Sequence, residues 1–386
     1  MPLEFGIVYP LWCHTREPGG LLDRAAGEVG IDFITVPVVT GEIEQFRLGW
    51  FPEQPYFHTE GGWHFPPRAP LYAASGIKPR AAKWCGSRDV LADVCEEATK
   101  RGIRVLARLE HADCAALTAA APHLARRDAW GSAYPRAKPC LLNPAFHELV
   151  RATVEDLQRS GVAGVQLGRF TIEQEYAAAS TVAVIASGAG LMTCCFCAAC
   201  REAAGRAGVD AESAERSVRV TGAKSGERRA SPPGNVIAPD GEPLLREYVG
   251  AMRGAWRDWL QALPTRAAAA RWQIERHGLS AEFSGGTERL VSAPWEYLYQ
   301  VPVLASFSIG PEKDDIAQMR KAHPGTRAAA IHTLSIDVGR DGGEFVSMIH
   351  RAARSGVEFF QFSGIELESR GVLDWLRQAV RYARRG

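Results

Sequence analysis

The stretch Lys100-Arg101-Gly102-Ile103-Arg104-Val105-Leu106-Ala107-Arg108-Leu109-Glu110 carries the fold in miniature. An amphipathic helical pattern over Ser87–Arg101 halts on a glycine, a residue that accepts the left-handed backbone closing a helix. A short β-rich run follows and ends in charged residues. The same unit recurs along the chain. Candidate strands are Phe5–Pro10, Phe33–Val39, Arg104–Glu110, Gly164–Phe170, Leu279–Ser284, Pro302–Ile309, Arg327–Leu334 and Val357–Phe362. Helical patterns fall between most of them, at Leu21–Val29, Pro144–Ser160, Leu244–Leu263, Glu312–Ala322, Gly343–Ser355 and Arg370–Arg384. Further glycine stops stand at Ser160-Gly161 and Ser355-Gly356. Alternating β and α units imply parallel strands, and eight of them close into a (β/α)8 TIM barrel, an α/β fold. An open doubly wound sheet is disfavoured because no glycine-rich phosphate loop follows any strand.

The chain reads as a single barrel domain over residues 1–386 with two long insertions. Residues 40–84 are aromatic-rich, with Trp50, Trp63, Tyr72 and Trp84 among them. Residues 211–243 are polar and rich in Gly, Pro and Ser, which predicts a mobile loop. Hydrophobic residues make up 46% of the chain, enough for a large core, and the net charge of +1 provides no electrostatic footprint for nucleic acid or an anionic membrane. No apolar run spans a bilayer and the N-terminus lacks a signal-peptide pattern, so a cytoplasmic location is expected.

In such a barrel the side chains just beyond each strand face the site. The first strand leads to Tyr9, Trp12 and His14, and the third to Arg108, Glu110, His111 and Asp113. The fourth leads to Arg169, Glu173 and Glu175. The fifth offers Glu282, the seventh His332 and Asp337, and the eighth Glu366 with Glu368. Trp and Tyr faces suit the C–H faces of sugar rings, so the aromatic insertion suggests a saccharide platform; the alternative is that it packs onto the barrel. Glycoside hydrolysis commonly needs two carboxyl groups. Glu173 or Glu175 is the candidate acid, with a partner among Glu110, Glu282, Asp337 and Glu366. Arg108, Arg169, His332, Trp12, His14, Trp50 and Trp63 are candidate substrate-binding residues.

The nine cysteines are clustered. Cys195, Cys197 and Cys200 form a C-x-C-x2-C pattern in Cys194-Cys195-Phe196-Cys197-Ala198-Ala199-Cys200, and Cys140 lies in Pro139-Cys140-Leu141-Leu142-Asn143-Pro144. Closely spaced thiolates suit a structural Zn²⁺ with no open coordination position. Ordinary buried cysteines are the plain alternative.

Cys140 in its C-x-x-N-P turn, the helix after it, the strand Val162-Ala163-Gly164-Val165-Gln166-Leu167 and the later C-x-C-x2-C resemble the barrel domain of family 42 β-galactosidases, over residues 100–205. The resemblance implies a zinc ligand set of Cys140, Cys195, Cys197 and Cys200, a small carbohydrate ligand and a homo-oligomer. It departs from the family at the acid site: Arg169 and Phe170 stand where an Asn-Glu pair is expected, and Gln174-Glu175-Tyr176 imitates that signature five residues later. Ala330-Ile331-His332-Thr333-Leu334-Ser335 holds no counterpart of the family's nucleophilic Glu. The reading is therefore a glycoside-hydrolase-like enzyme with a relocated carboxylate pair. Its rivals are a metal-dependent sugar isomerase or epimerase built on Glu282, His332 and Glu366, and a non-catalytic carbohydrate-binding barrel.

Overall fold

The computed structural model describes residues 3–14, 20–47, 53, 55–111, 114–133, 138–167, 194–227, 243–262, 272–274, 303–307, 327–334, 342–368 and 371–385. Its strands in chain order are β1 (Glu4–Val8), β2 (Phe33–Thr40), β3 (Ile43–Phe46), β4 (Tyr56–Thr59), β5 (Gly62–Trp63) and β6 (Arg104–Leu109). Then come β7 (Gly164–Leu167), β8 (Trp272–Ile274), β9 (Val303–Phe307), β10 (Arg327–Thr333) and β11 (Phe359–Ser363). The helices are α1 (Leu11–His14), α2 (Gly20–Arg24), α3 (Val90–Lys100), α4 (Ala115–Ala120) and α5 (Pro144–Leu157). They continue as α6 (Ala198–Arg206), α7 (Ala211–Glu227), α8 (Pro243–Ala262), α9 (Gly342–Ser355) and α10 (Val372–Arg385).

Strands β1, β2 and β6 to β11 pair in parallel around a ring, and β1 lies between β11 and β2, so the sheet closes. The fold is a (β/α)8 barrel. Helix ends follow the expected chemistry. Asp89 caps α3 by accepting from the Ala92 N–H at 3.0 Å. After α3 the chain reverses at Gly102, whose φ of 68° suits glycine.

Alternation along the strands separates two packed regions. Ile34, Val36 and Val38 of β2, Ala107 and Leu109 of β6, Val165 of β7 and Phe360 and Phe362 of β11 join the large core shared with the helices. Phe33, Leu106, Ala329 and Phe359 form a separate cluster, the lower filling of the barrel interior. Phe33 and Phe359 stack with centroids 4.1 Å apart. Gly6 permits this: a Cβ there would stand 2.3 Å from the Phe33 ring.

Two expectations need correction. The fifth barrel strand is Trp272–Ile274, in register with Gln166 and Leu167 on one side and with Val303–Ala305 on the other. Leu279–Ser284 lies outside the described residues, so Glu282 is not the residue at that strand's end; Glu275 is the next residue in the chain. The segment 211–243 begins as helix rather than loop, since Ala211–Glu227 is α7. Asp210 starts it, its Oδ1 accepting from the N–H groups of Glu212 and Ser213 at 3.0 Å, and Ala214 and Val218 are buried. Residues 228–242 and the expected helix Glu312–Ala322 lie outside the described residues.

The aromatic insertion packs onto the barrel. Within it β3 and β4 pair antiparallel, and β5 adds antiparallel to the end of β2. Phe57, Trp63, Phe65 and Tyr72 are buried in the large core. The turn at Ala69–Ser75 lies on α5, where Asp156 accepts from Tyr72 Oη and from the Arg68 N–H and Nε. Among the described residues, no helix is long and apolar enough to cross a membrane.

Candidate functional site

Two groups of side chains stand out, one at the C-terminal rim of the barrel and one beside α5 and α6. At the rim, β11 ends at Ser363, Gly364 turns the chain with φ 82°, and the short turn Ile365–Leu367 presents Glu366. Glu366 is buried, and its Oε1 accepts from Gln45 Nε2 at 3.2 Å. Among the described residues its Oε2 has no hydrogen-bond partner. Burial pushes the carboxyl up to about 7, against the smaller opposing effects of its hydrogen bonds and of Arg47. Gln45 Oε1 in turn accepts from Trp12 Nε1 at 3.2 Å. One glutamine of β3 thus ties the first loop, the insertion and the last loop of the barrel together. Arg47 lies over the Phe57 ring, 4.8 Å from its centroid.

On the third barrel strand, Arg108 Nε donates to Glu110 Oε1 at 2.8 Å, with Arg108 buried and Glu110 partly open. Glu110 follows directly on the last residue of β6, two positions beyond Arg108. In the same part of the interior lie Thr35, Gln166 and Gln361, all buried.

The structure therefore brings Glu110, Arg108, Glu366 and Trp12 to the rim or the interior below it. Glu173, Glu175, Arg169 and Trp50 lie outside the described residues, as do Asp113 and Asp337. His332 belongs to β10, and its side chain is likewise outside the description. Two substrate-binding assignments are corrected. His14 is buried, 3.3 Å from Tyr9 Oη through Nδ1, and Asp93 of α3 and Arg88 just before that helix lie near it. Burial lowers its pKa. Trp63 is only 2% exposed and meets Tyr72 and His111 edge-on, so it is packing rather than platform. Trp12 is also enclosed, stacked on Phe57 at 4.9 Å with His64 and Trp84 at its edges. His111, next to the rim, is held near 3 by burial, its Nε2 lying 3.1 Å from Thr153 Oγ1. It stays neutral in the core. Sequence reasoning did not reach Gln45, Gln166 and Gln361, because an amide carries no motif; the inward register of strand positions was the available signal.

The second group is Cys140, Cys195, Cys197 and Cys200, all buried, with sulfur atoms all within 4.8 Å of one another. Cys140 Sγ is 3.5 Å from Cys200 Sγ and 3.4 Å from Cys197 Sγ. None of the nine cysteines is in a disulfide. Tetrahedral Zn–S bonds of about 2.3 Å would put sulfurs roughly 3.8 Å apart, so the four thiols fit such an ion. Asn143 and Pro144 shape the first loop by capping α5, with Asn143 Oδ1 accepting from the Ala145 N–H at 3.0 Å. Cys197 precedes α6 and Cys200 lies in its first turn. Tyr248 of α8 donates to the Cys195 carbonyl at 2.8 Å, and Phe196 stacks on its ring. Hydrogen bonds among the neighbouring thiols hold Cys197 well below the usual thiol range and push Cys200 well above it. These four residues could hold a metal ion.

The fold and its sites define a closed (β/α)8 barrel with a buried four-cysteine cluster. No family model and no curated protein matches the sequence. Among solved structures, the chain is similar to α-L-fucosidase isoenzyme 2 from Paenibacillus thiaminolyticus, at 12% identity and TM-score 0.47, over 99% of this chain and 49% of that one. It spans about half that fucosidase's length. It is also similar to a β-N-acetylhexosaminidase, at 12% identity and TM-score 0.49, over 99% of this chain and 71% of that one. A third similarity is to the glycoside hydrolase domain of PelA from Pseudomonas aeruginosa, at 13% identity and TM-score 0.41, over 95% and 96%. Each is a likeness of fold at low identity.

Proposed function

We propose that this protein is a glycoside-hydrolase-like enzyme that acts on a small carbohydrate or glycoside at the C-terminal rim of the barrel. One observation carries the reading: a buried carboxyl, Glu366, raised to about 7, sits just beyond the last barrel strand with one oxygen unpartnered among the described residues. A carboxyl protonated near neutral pH is what a general acid needs to give a proton to a leaving glycosidic oxygen. Gln45 holds its other oxygen in place. Glu110, just beyond the end of β6 and paired with Arg108, is the carboxylate of the described residues suited to the second role, that of nucleophile or base. Glu173 and Glu175 remain sequence candidates for either role, with Arg169, His332 and Trp50 as candidate substrate contacts.

In the same proposal Cys140, Cys195, Cys197 and Cys200 hold one structural Zn²⁺. Four thiolates fill its coordination, so the ion ties the entrances of α5 and α6 together and does no chemistry. The carbohydrate is the proposed partner; a homo-oligomer and a cytoplasmic location belong to the same reading.

The test is a screen of nitrophenyl glycosides with the wild-type protein and Glu366→Gln. Turnover of a glycoside by the wild type and its loss in the variant are expected. Turnover that survives in Glu366→Gln would remove Glu366 as the acid. Carbohydrate binding without any turnover would select the non-catalytic barrel instead, a reading that the engagement of Glu110 with Arg108 also accommodates.

A further inference from the structure

The barrel interior changes character partway up. Its lower layer is the apolar cluster Phe33, Leu106, Ala329 and Phe359. Two residues further along three of these strands stand Thr35, Arg108 and Gln361, all inward, and Gln166 joins them from β7. Barrel interiors are commonly filled by bulky branched residues, so a polar layer here needs a reason.

The inward direction is fixed by two observations. Thr35 Oγ1 donates to Gln361 Oε1 at 2.9 Å, a bond that passes across β1 and so runs inside the barrel. Arg108 is in register with Gln166, while the neighbours Ala107, Leu109 and Val165 belong to the outer core. Gln166 is fully buried, yet among the described residues neither its Oε1 nor its Nε2 has a hydrogen-bond partner, and the Nε2 of Gln361 has none either. A buried amide without partners costs about 1–3 kcal/mol per unsatisfied group. Leucine would avoid that cost at these positions. Among the described residues nothing satisfies these amides, which leaves them available to a ligand.

We infer that Gln166 and Gln361 form the floor of the ligand site, binding an adjacent pair of hydroxyl groups on a sugar ring that enters from the C-terminal rim. A primary amide presents a donor and an acceptor side by side, and neighbouring hydroxyls each donate and accept, so the two match in pairs. The wall leads outward in the right order. Gln166 adjoins Arg108, and Arg108 adjoins Glu110, whose side chain is 16% exposed. This inference deepens the carbohydrate reading above and rests on it. Ordered water is the competing occupant.

The experiment measures binding of D-galactose, D-glucose, D-mannose and N-acetyl-D-glucosamine to the intact protein by calorimetry, beside thermal unfolding without sugar. The variants are Gln166→Met, which keeps length and removes the amide, and Gln166→Ala, which leaves space should Met fold poorly. The expected result is binding of at least one sugar by the wild type, weakened about tenfold or more in either variant, the scale of one or two lost hydrogen bonds. For Gln166→Met, folding without sugar should be as stable as wild type or more so, because an unpartnered amide has been removed; Gln166→Ala is read for sugar affinity alone, since the space it leaves costs stability by itself. Unchanged sugar affinity in the variants, or no sugar bound by the wild type, would overturn the inference. So would a clear loss of unliganded stability with sugar affinity retained, which identifies a structural water. Glycoside turnover sensitive to Glu366→Gln but with KM unmoved by Gln166→Met would sink this inference alone. Gln166-dependent sugar binding with no turnover would sink the hydrolase reading alone.

Discussion

The hydroxyl of Tyr72 donates to Asp156 Oδ2 at 3.0 Å, joining the aromatic insertion to the buried face of α5. The same carboxyl group accepts from the Arg68 N–H at 2.9 Å and from the Arg68 guanidinium. One buried acid therefore satisfies three donors of a segment far from it in sequence.

Asp156→Ala should lower stability by about 3 kcal/mol, since hydrogen bonds to a charged group contribute about 1.5–3 kcal/mol each and the donors lose their acceptor inside the core. Tyr72→Phe should cost about 1 kcal/mol. Urea unfolding of the two variants checks the order. Equal stabilities would show that the insertion is held by its aromatic packing alone.

Glu366 makes stability depend on pH in a defined direction. Its carboxyl is at about 7 in the folded protein, against an ordinary value of 4.5. Between those values the folded state holds the additional proton, so stability falls as pH rises through that window. Below about pH 4.5 the effect is absent, and above about pH 7 the full penalty, on the order of 3 kcal/mol, is present. Glu366→Gln should therefore be more stable than wild type near pH 8 and similar near pH 4. Any turnover that uses Glu366 as an acid should fade as pH rises through about 7. Parallel wild-type and variant stability curves across this range would contradict the assignment.

Cys197→Ser should remove the metal. Elemental analysis is expected to find about one zinc per wild-type chain and little in the variant, with a lower unfolding temperature, because metal-binding energy at a structural site is folding energy. A chelator should reproduce the loss in the wild type. Full metal content in the variant would refute the four-thiol site.

Gly6→Ala should destabilise the barrel by about 1–3 kcal/mol, the usual cost of overpacking, since the new methyl meets the Phe33 ring. Adding Phe33→Leu should recover part of the loss. A Gly6→Ala variant as stable as wild type would show that the Phe33–Phe359 stack shifts freely.

Much of the fold was legible because its signals are local. Glycine stops such as Gly102 and β-rich runs such as Phe33–Val39 report their own conformation. The fifth strand was displaced because Trp272–Ile274 is only three residues long and gains its identity from its neighbours β7 and β9. Helix α7 was missed because its sequence is polar and contains glycine and serine; Asp210 as a cap and the spacing of Ala214 and Val218 were the signals to weigh. The cysteine cluster was read correctly as a group, since its spacing alone brings three thiols together. Trp63 and His14 were legible as aromatic and titratable, but their burial depends on partners from α5 and α3 that no local pattern announces. The amide floor was invisible for the opposite reason: its meaning lies in what Gln166 does not touch.

The pairing of β1 with both β2 and β11 has a consequence for how the chain is made. Glu4 takes its place opposite Phe359, so the first barrel strand waits for the last. Until then both margins of the growing sheet present raw backbone, and raw margins invite pairing with other chains. The seam between first and last barrel strand is where closure becomes a race between self-pairing and entanglement, and where a holding chaperone would matter most.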